Sequence, residues 1–180
     1  ETATAELALS DRHAKRTLVV ALQQAIDAIF QARVNGKTPF VLLDTPPGLG
    51  DLQVAALTVA DYLIIPVNPN FASETGIPKM AEEIRAIRAR GGKGAQLLGL
   101  LPTRYKSRTV EHRTVLEGLR EIFGESLLYP PVRDTVRLEE APARGLPIWD
   151  YDPQGAGAED YARVLLRLFQ DLDITVTGRR

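Results

Sequence analysis

Cysteine is absent from the 180 residues. That rules out a disulfide framework, a thiolate metal site and an iron–sulfur cluster. Only two histidines occur, His13 and His112, and they lie far apart in the chain. A zinc site built from histidine alone is therefore not expected. Neither charge sign dominates: 22 lysines and arginines face 23 acids, for a net charge of −1. The whole molecule is thus not a basic nucleic-acid binder, and any DNA contact must come from a local patch. No run approaches the ~18–20 apolar residues that would cross a bilayer. The opening stretch ETATAELALSDRHAKR contains acids and no continuous apolar core, so it does not read as a signal peptide. The expectation is a soluble, cytoplasmic protein without membrane contact. Low-complexity runs and internal repeats are missing too.

What is present is an alternation of two patterns. Residues 12–34 read as a helix, with Leu18, Leu22, Ile26 and Ile29 at helical spacing and Asn35-Gly36 as a stop. Pro39 to Asp44 (PFVLLD) packs four apolar residues together and ends on one acid, as a strand buried on both faces does. Asp61 to Val67 (DYLIIPV) repeats the design. Gln96 to Leu101 is a third strand, and Leu127-Leu128-Tyr129 a short fourth. Between them lie amphipathic helices. Ile77, Met80, Ile84 and Ile87 form one face, closed by Gly91-Gly92. Leu116, Leu119, Ile122 and Phe123 form another, capped by Gly124. Tyr161, Val164, Leu165, Leu168 and Leu172 form the last. Alternating strands and helices predict an α/β fold: a mostly parallel sheet flanked by helices on both faces. Residues 175–180 read as a loose tail.

In such sheets ligands bind beyond the carboxyl ends of the strands. Three segments should lie there: Asp44-Thr45-Pro46-Pro47-Gly48, Pro66-Val67-Asn68-Pro69 and Pro102-Thr103-Arg104-Tyr105. In the first, an acid at a strand end can hold magnesium. Gly48 lets a main-chain N–H approach a ligand oxygen without a side chain in the way. The same residues also fit a plain strand end followed by a turn.

Three separated motifs in order change that balance. FVLLDTPPGLGDLQVAALTVADYLIIPVNP is similar to the Walker B region of ParA/MinD-type ATPases. GLLPTRYKSRTVEHRTVLEGLREIFG resembles the strand, loop and helix that follow in the ParA branch. PPVRDTVRLEEAPARGLPIWDYDPQGAGAEDYARVLLRL resembles the closing segment of that family. The resemblance covers nearly the whole chain, as the rear part of one ParA-type domain. It implies a P-loop NTPase-like fold, with Asp44 as the Walker B acid positioning magnesium and Gly48 near the γ-phosphate. Thr103 and Arg104 would border the adenine of ATP. Pro131, Val132 and Arg133 would close over the base from the other side, although Asp134-Thr135 holds one residue more than the common pattern.

The family also implies an ATP-dependent homodimer, non-specific DNA binding on the nucleoid, and hydrolysis stimulated by a ParB-type centromere-binding partner. The DNA candidates are Arg85 and Arg88 in one basic stretch, and Arg108 and Arg113 in another. Clustered cations of this kind release counterions from phosphates; a solvated helix face has the same composition. Two family features are missing from these residues: a GxxxxGK[ST] phosphate loop, and the catalytic aspartate after the first crossover. Gly91-Gly92-Lys93-Gly94 follows a helix and precedes a strand, the reverse of a phosphate loop. The chain by itself is therefore expected not to hydrolyse ATP. Membrane binding through a terminal amphipathic helix, as in the MinD branch, is not expected from QDLDITVTGRR. The alternative is a non-enzymatic, ParA-like interaction module.

Overall fold

The computed structural model describes residues 2–32, 40–45, 50–71, 82, 85, 86, 89, 95–125 and 128–174. The helices are α1 (Thr2–Ala32), α2 (Asp51–Val59), α3 (Val110–Phe123), α4 (Val136–Ala143), α5 (Ile148–Tyr151) and α6 (Ala156–Asp171). The strands are β1 (Tyr62–Val67) and β2 (Gln96–Pro102), paired side by side. Their pairing is parallel. Gln96 N–H donates to the Asp61 carbonyl at 2.8 Å, and Thr103 N–H to the Val67 carbonyl at 2.8 Å, so both chains advance in the same direction. A parallel bridge between Leu100 and Leu128 extends the pattern, and Tyr129 N–H donates to the Leu100 carbonyl at 2.9 Å. The α/β class with a parallel sheet is thus as the alternation of patterns predicts.

The contacts divide the chain into two compact units, Glu1–Leu63 with Arg85–Leu97, and Ile64–Ile84 with Leu98–Arg180. In the first unit α1 packs on α2. Leu18, Leu22 and Ile26, four residues apart, are half-buried, while Ile29 is exposed. The helix begins ten residues earlier than the start expected at residue 12. The α2 helix was not anticipated. It starts after Gly50, carries Asp51 in its first turn, and buries Ala55, Ala56 and Leu57. An acid in the first turn suits the positive end of the helix.

One expected strand does not form. Residues 40–45 have no ladder partner among the described residues. Phe40 is 62% exposed and Leu42 86% exposed. A strand exists only through its ladder, so an apolar run alone cannot make one.

The second unit holds the main core. Tyr129, Val132 and Val164 are buried together, with Ile64, Leu98, Leu101, Leu138, Tyr161 and Leu168 packed around them. A satellite of Ala141, Ile148 and Ala158 adjoins Leu138 and Tyr161. Leu100 and Leu119 are fully enclosed. The α3 helix ends where Gly124 adopts φ 86°, a left-handed geometry that suits glycine, and its N–H donates to the Arg120 carbonyl at 2.8 Å. The α4 helix is capped by Thr135, whose hydroxyl accepts from Leu138 N–H at 3.4 Å. The helix face expected at residues 77–87, the Gly91–Gly94 turn and the tail from 175 lie outside the described residues; Glu82, Arg85, Ala86 and Ala89 are helical.

Candidate functional site

The loop after β1 is fixed by its own side chains. Asn68 Oδ1 accepts from the N–H of Asn70 at 3.0 Å and from its Nδ2 at 3.0 Å. Asn70 Oδ1 in turn lies 3.0 Å from Nε2 of His112. The other ring nitrogen, Nδ1, accepts from Lys106 N–H at 3.0 Å. An accepting Nδ1 puts the proton on Nε2, which therefore donates to Asn70. His112 is only 3% exposed. It thus ties the turn after β1 to the loop after β2 and to its own helix, α3.

The loop after β2 is tied in a second way. Thr103 is joined to the Val67 carbonyl by its N–H, and by its hydroxyl at 3.4 Å. Arg104 then takes φ 54°, in the left-handed region that non-glycine residues seldom enter. Its guanidinium reaches Glu139 at 3.1 Å, with both side chains more than half exposed. Past this reversal the chain meets residues 131–134. Val132 N–H donates to the Pro102 carbonyl at 2.8 Å, Tyr105 N–H to the Val132 carbonyl at 3.0 Å, and Asp134 N–H to the Tyr105 carbonyl at 3.0 Å. A parallel bridge joins Tyr105 to Arg133, and Lys106 pairs with Asp134 at 3.2 Å. The two segments expected on opposite sides of one base are therefore adjacent, stitched by three main-chain bonds.

The side chains have less freedom than their positions suggest. Val132 is a core residue, so only its main chain faces the loop. Pro131 is half-buried. The Arg133 guanidinium is committed to carboxylates of α6, although its side chain is 41% exposed. Its Nε lies 2.8 Å from Asp160 Oδ2, and its Nη2 lies 2.8 Å from Asp160 Oδ1 and 2.7 Å from Glu159. Asp160 has no exposed surface and also accepts from Arg163. Burial by itself would raise the Asp160 carboxyl. Hydrogen bonds from the Arg133 side chain and main chain, with Arg163, outweigh that and hold it below its ordinary value. The same carboxylates raise Arg133, so its charge is permanent.

The metal-side residues are less developed. Asp44 is exposed and Thr45 half-buried, in the unpaired stretch 40–45. Gly48 lies outside the described residues. No cluster of three or more histidine or acidic side chains able to hold a metal occurs among the described residues. A lone exposed carboxylate still fits as one ligand of magnesium, which keeps several waters and takes phosphate oxygens. Of the basic candidates, Arg85, Arg108 and Arg113 are exposed, and Arg88 lies outside the described residues.

Two residues that build this site, Asp160 and His112, carry a signal in the residue pattern itself. Asp160 lies four positions before Val164, and His112 three and four before Val115 and Leu116, so each is a polar residue at core register on an amphipathic helix.

A family model described as an AAA domain matches residues 2–96, a little over half of the chain. The chain belongs to that family. Within it the chain is of the ParA/MinD type. The chromosome partitioning protein ParA of Caulobacter vibrioides is 31% identical over 143 residues, 79% of this chain and 52% of the relative. The chromosome-partitioning ATPase Soj of Thermus thermophilus is 33% identical over 145 residues, 81% of this chain and 58% of the relative. The chain thus spans about half the length of these curated relatives. Among solved structures, McdA of Cyanothece, in complex with ATP, superposes with a TM-score of 0.70 at 17% identity, covering 99% of this chain and 64% of that one. The septum site-determining protein MinD of Pyrococcus horikoshii, complexed with Mg-ADP, gives 0.65 at 18% identity, covering 87% and 59%. At these identities the superpositions speak for the P-loop NTPase-type fold alone. The ParA/MinD-type chain described here shares that fold, and none of its described helices is long and apolar enough to cross a membrane.

Proposed function

We propose that this chain supplies the base side of an ATP site in a ParA-type partition ATPase. The observation that carries the reading is the stitching of residues 102–105 to 131–134 beyond the strand ends, where open parallel sheets take their ligands. Thr103 and Arg104 border one side of the adenine, and the main chain of Pro131 to Arg133 borders the other. Asp44 would hold magnesium, directly or through a bound water, and Gly48 would lie near the γ-phosphate. Magnesium, when bound, neutralises charge building on the phosphate oxygens. Support for the cellular role comes from relatives named as chromosome-partitioning proteins. On this reading the protein dimerises on ATP, binds DNA without sequence preference and answers to a ParB-type partner, in the cytoplasm on the nucleoid. Arg85, Arg88, Arg108 and Arg113 meet the phosphate backbone.

One set of measurements tests this. The 180-residue chain should show no ATP turnover, and ATP binding that is weak or absent. The protein at its full natural length should hydrolyse ATP, and Asp44→Ala should abolish turnover by losing the metal. Its ATP-bound form should bind any DNA sequence, with affinity falling steeply with salt. Removing each arginine that touches phosphate should reduce the magnitude of the salt slope by about one. Undiminished hydrolysis in Asp44→Ala would refute the role of that acid. An unchanged slope in all four arginine variants would move the DNA surface elsewhere.

A further inference from the structure

Asp160 makes an unusual set of contacts for a residue on the buried face of a helix. Its two oxygens accept from the Arg133 main-chain N–H at 2.9 Å, from Arg133 Nε at 2.8 Å, from Arg133 Nη2 at 2.8 Å, and from Arg163. Three of the four donors belong to one residue of the 131–134 loop. The carboxylate therefore grips that residue by backbone and side chain together, which fixes its main-chain direction as well as its rotamer. A fully enclosed charge is an expensive way to gain stability, because desolvation offsets much of the attraction. It is well suited to holding one loop in one register, since a bidentate guanidinium fork tolerates little displacement.

The consequence reaches the ligand side. Arg133 bridges to Tyr105, and the bonds of Val132 and Asp134 to Tyr105 lie on either side of it. Moving residue 133 would move the whole seam between the two base-side segments. We propose that Asp160 is a positioning residue for base recognition: from α6 it sets the loop whose main chain closes over the purine, and Arg133 is its handle rather than a ligand contact. This rests on the nucleotide reading above. Base affinity then depends on a side chain that touches no part of the nucleotide, and the phosphate side of the site is indifferent to it.

The test compares ATP with inorganic tripolyphosphate, which carries the phosphates and lacks the base. Both are titrated as competitors of a fluorescent ATP analogue on the protein at its full natural length. Asp160→Asn keeps the shape and removes the charge. Its ATP affinity should fall about tenfold, the size of one hydrogen bond to a charged group, while tripolyphosphate binds as in the wild type. Arg163→Gln, which leaves the Arg133 contacts in place, should change neither. A purely structural role would weaken both ligands together or neither, and either result overturns the inference. Should Asp160→Asn fail to fold, Arg133→Gln breaks the same grip from the loop side, and an unchanged ratio of ATP to tripolyphosphate affinity in that variant overturns the inference equally. A wild-type protein that binds no nucleotide overturns the ATP reading and this inference with it; a wild type that binds ATP beside an indistinguishable Asp160→Asn overturns the inference alone.

Discussion

Residues 40–45 and β1 (Tyr62–Val67) each open on four apolar residues and meet opposite fates. Phe-Val-Leu-Leu and Tyr-Leu-Ile-Ile are both unbroken apolar runs leading to a loop rich in proline. The second lies in a parallel ladder and ends on Val67, which is 4% exposed. The first has no ladder partner among the described residues and leaves Leu42 at 86% exposure. Full burial of one leucine is worth about 1.5–3 kcal/mol, and Leu42 forgoes most of that gain. Strand propensity is mostly a statement about what lies on either side of the strand. The contrast therefore measures the neighbours rather than the residues.

The sharpest way to expose that contrast is to truncate Leu42 in the first region and Leu100 in β2, the strand that pairs with β1. Leu100, fully enclosed in β2, should cost about 2–5 kcal/mol as Leu100→Ala. Leu42→Ala should stay within about 0.5 kcal/mol of wild type. Urea unfolding of the three proteins decides it, and equal losses would mean that residues 40–45 are packed in solution. A smaller effect belongs to the seam after β2. Asp160→Asn should cost about 2 kcal/mol near pH 7, since it removes a charged acceptor from Arg133 and Arg163 while Glu159 remains beside them. The folded carboxyl lies below its ordinary value, so its contribution is complete above the unfolded value and fades as the pH falls through the folded one. The gap between wild type and variant should therefore narrow below about pH 4. A gap that is flat from pH 7 to 3 would contradict the depressed value. Smallest should be His112→Phe, which keeps an aromatic ring but removes the partners of the Lys106 N–H and of Asn70 Oδ1. A loss of about 1–2 kcal/mol is expected, with faster hydrogen exchange at the Lys106 amide; an unaltered amide would show that the ring does not hold that loop.

These magnitudes bear on what the residue pattern could reveal. β1, β2, the Gly124 stop and the apolar face of α6 were all legible, because each is set by local periodicity or by one glycine. The strand at 39–44 was misread because its signal, apolar content, does not report whether a partner is present. α2 has a weak local signal for a related reason: Leu52 to Val59 is a short apolar stretch between a proline-rich loop and a strand, without a polar face that marks a helix. At the candidate site the positions of Thr103 and of residues 131–133 along the chain were readable, whereas the occupation of the Arg133 side chain was not. That depends on Asp160, 27 residues away, and no local pattern links the two. Val132 shows the same limit: it lies where a ligand contact was expected, yet its side chain belongs to the core.

The core of the second unit also has a bearing on how the chain is made. Ile64, Leu98, Val132 and Val164 meet in one cluster, and successive members lie roughly thirty residues apart. No pair of neighbouring elements can complete it. A ribosome adds residues at about 5–20 per second, so for several seconds the emerging strands display apolar side chains whose last partners, Val164 and Leu168 on α6, have not yet been translated. The α6 helix thus both anchors the 131–134 loop through Asp160 and supplies the last members of this core cluster, so the loop can settle only once synthesis has passed α6.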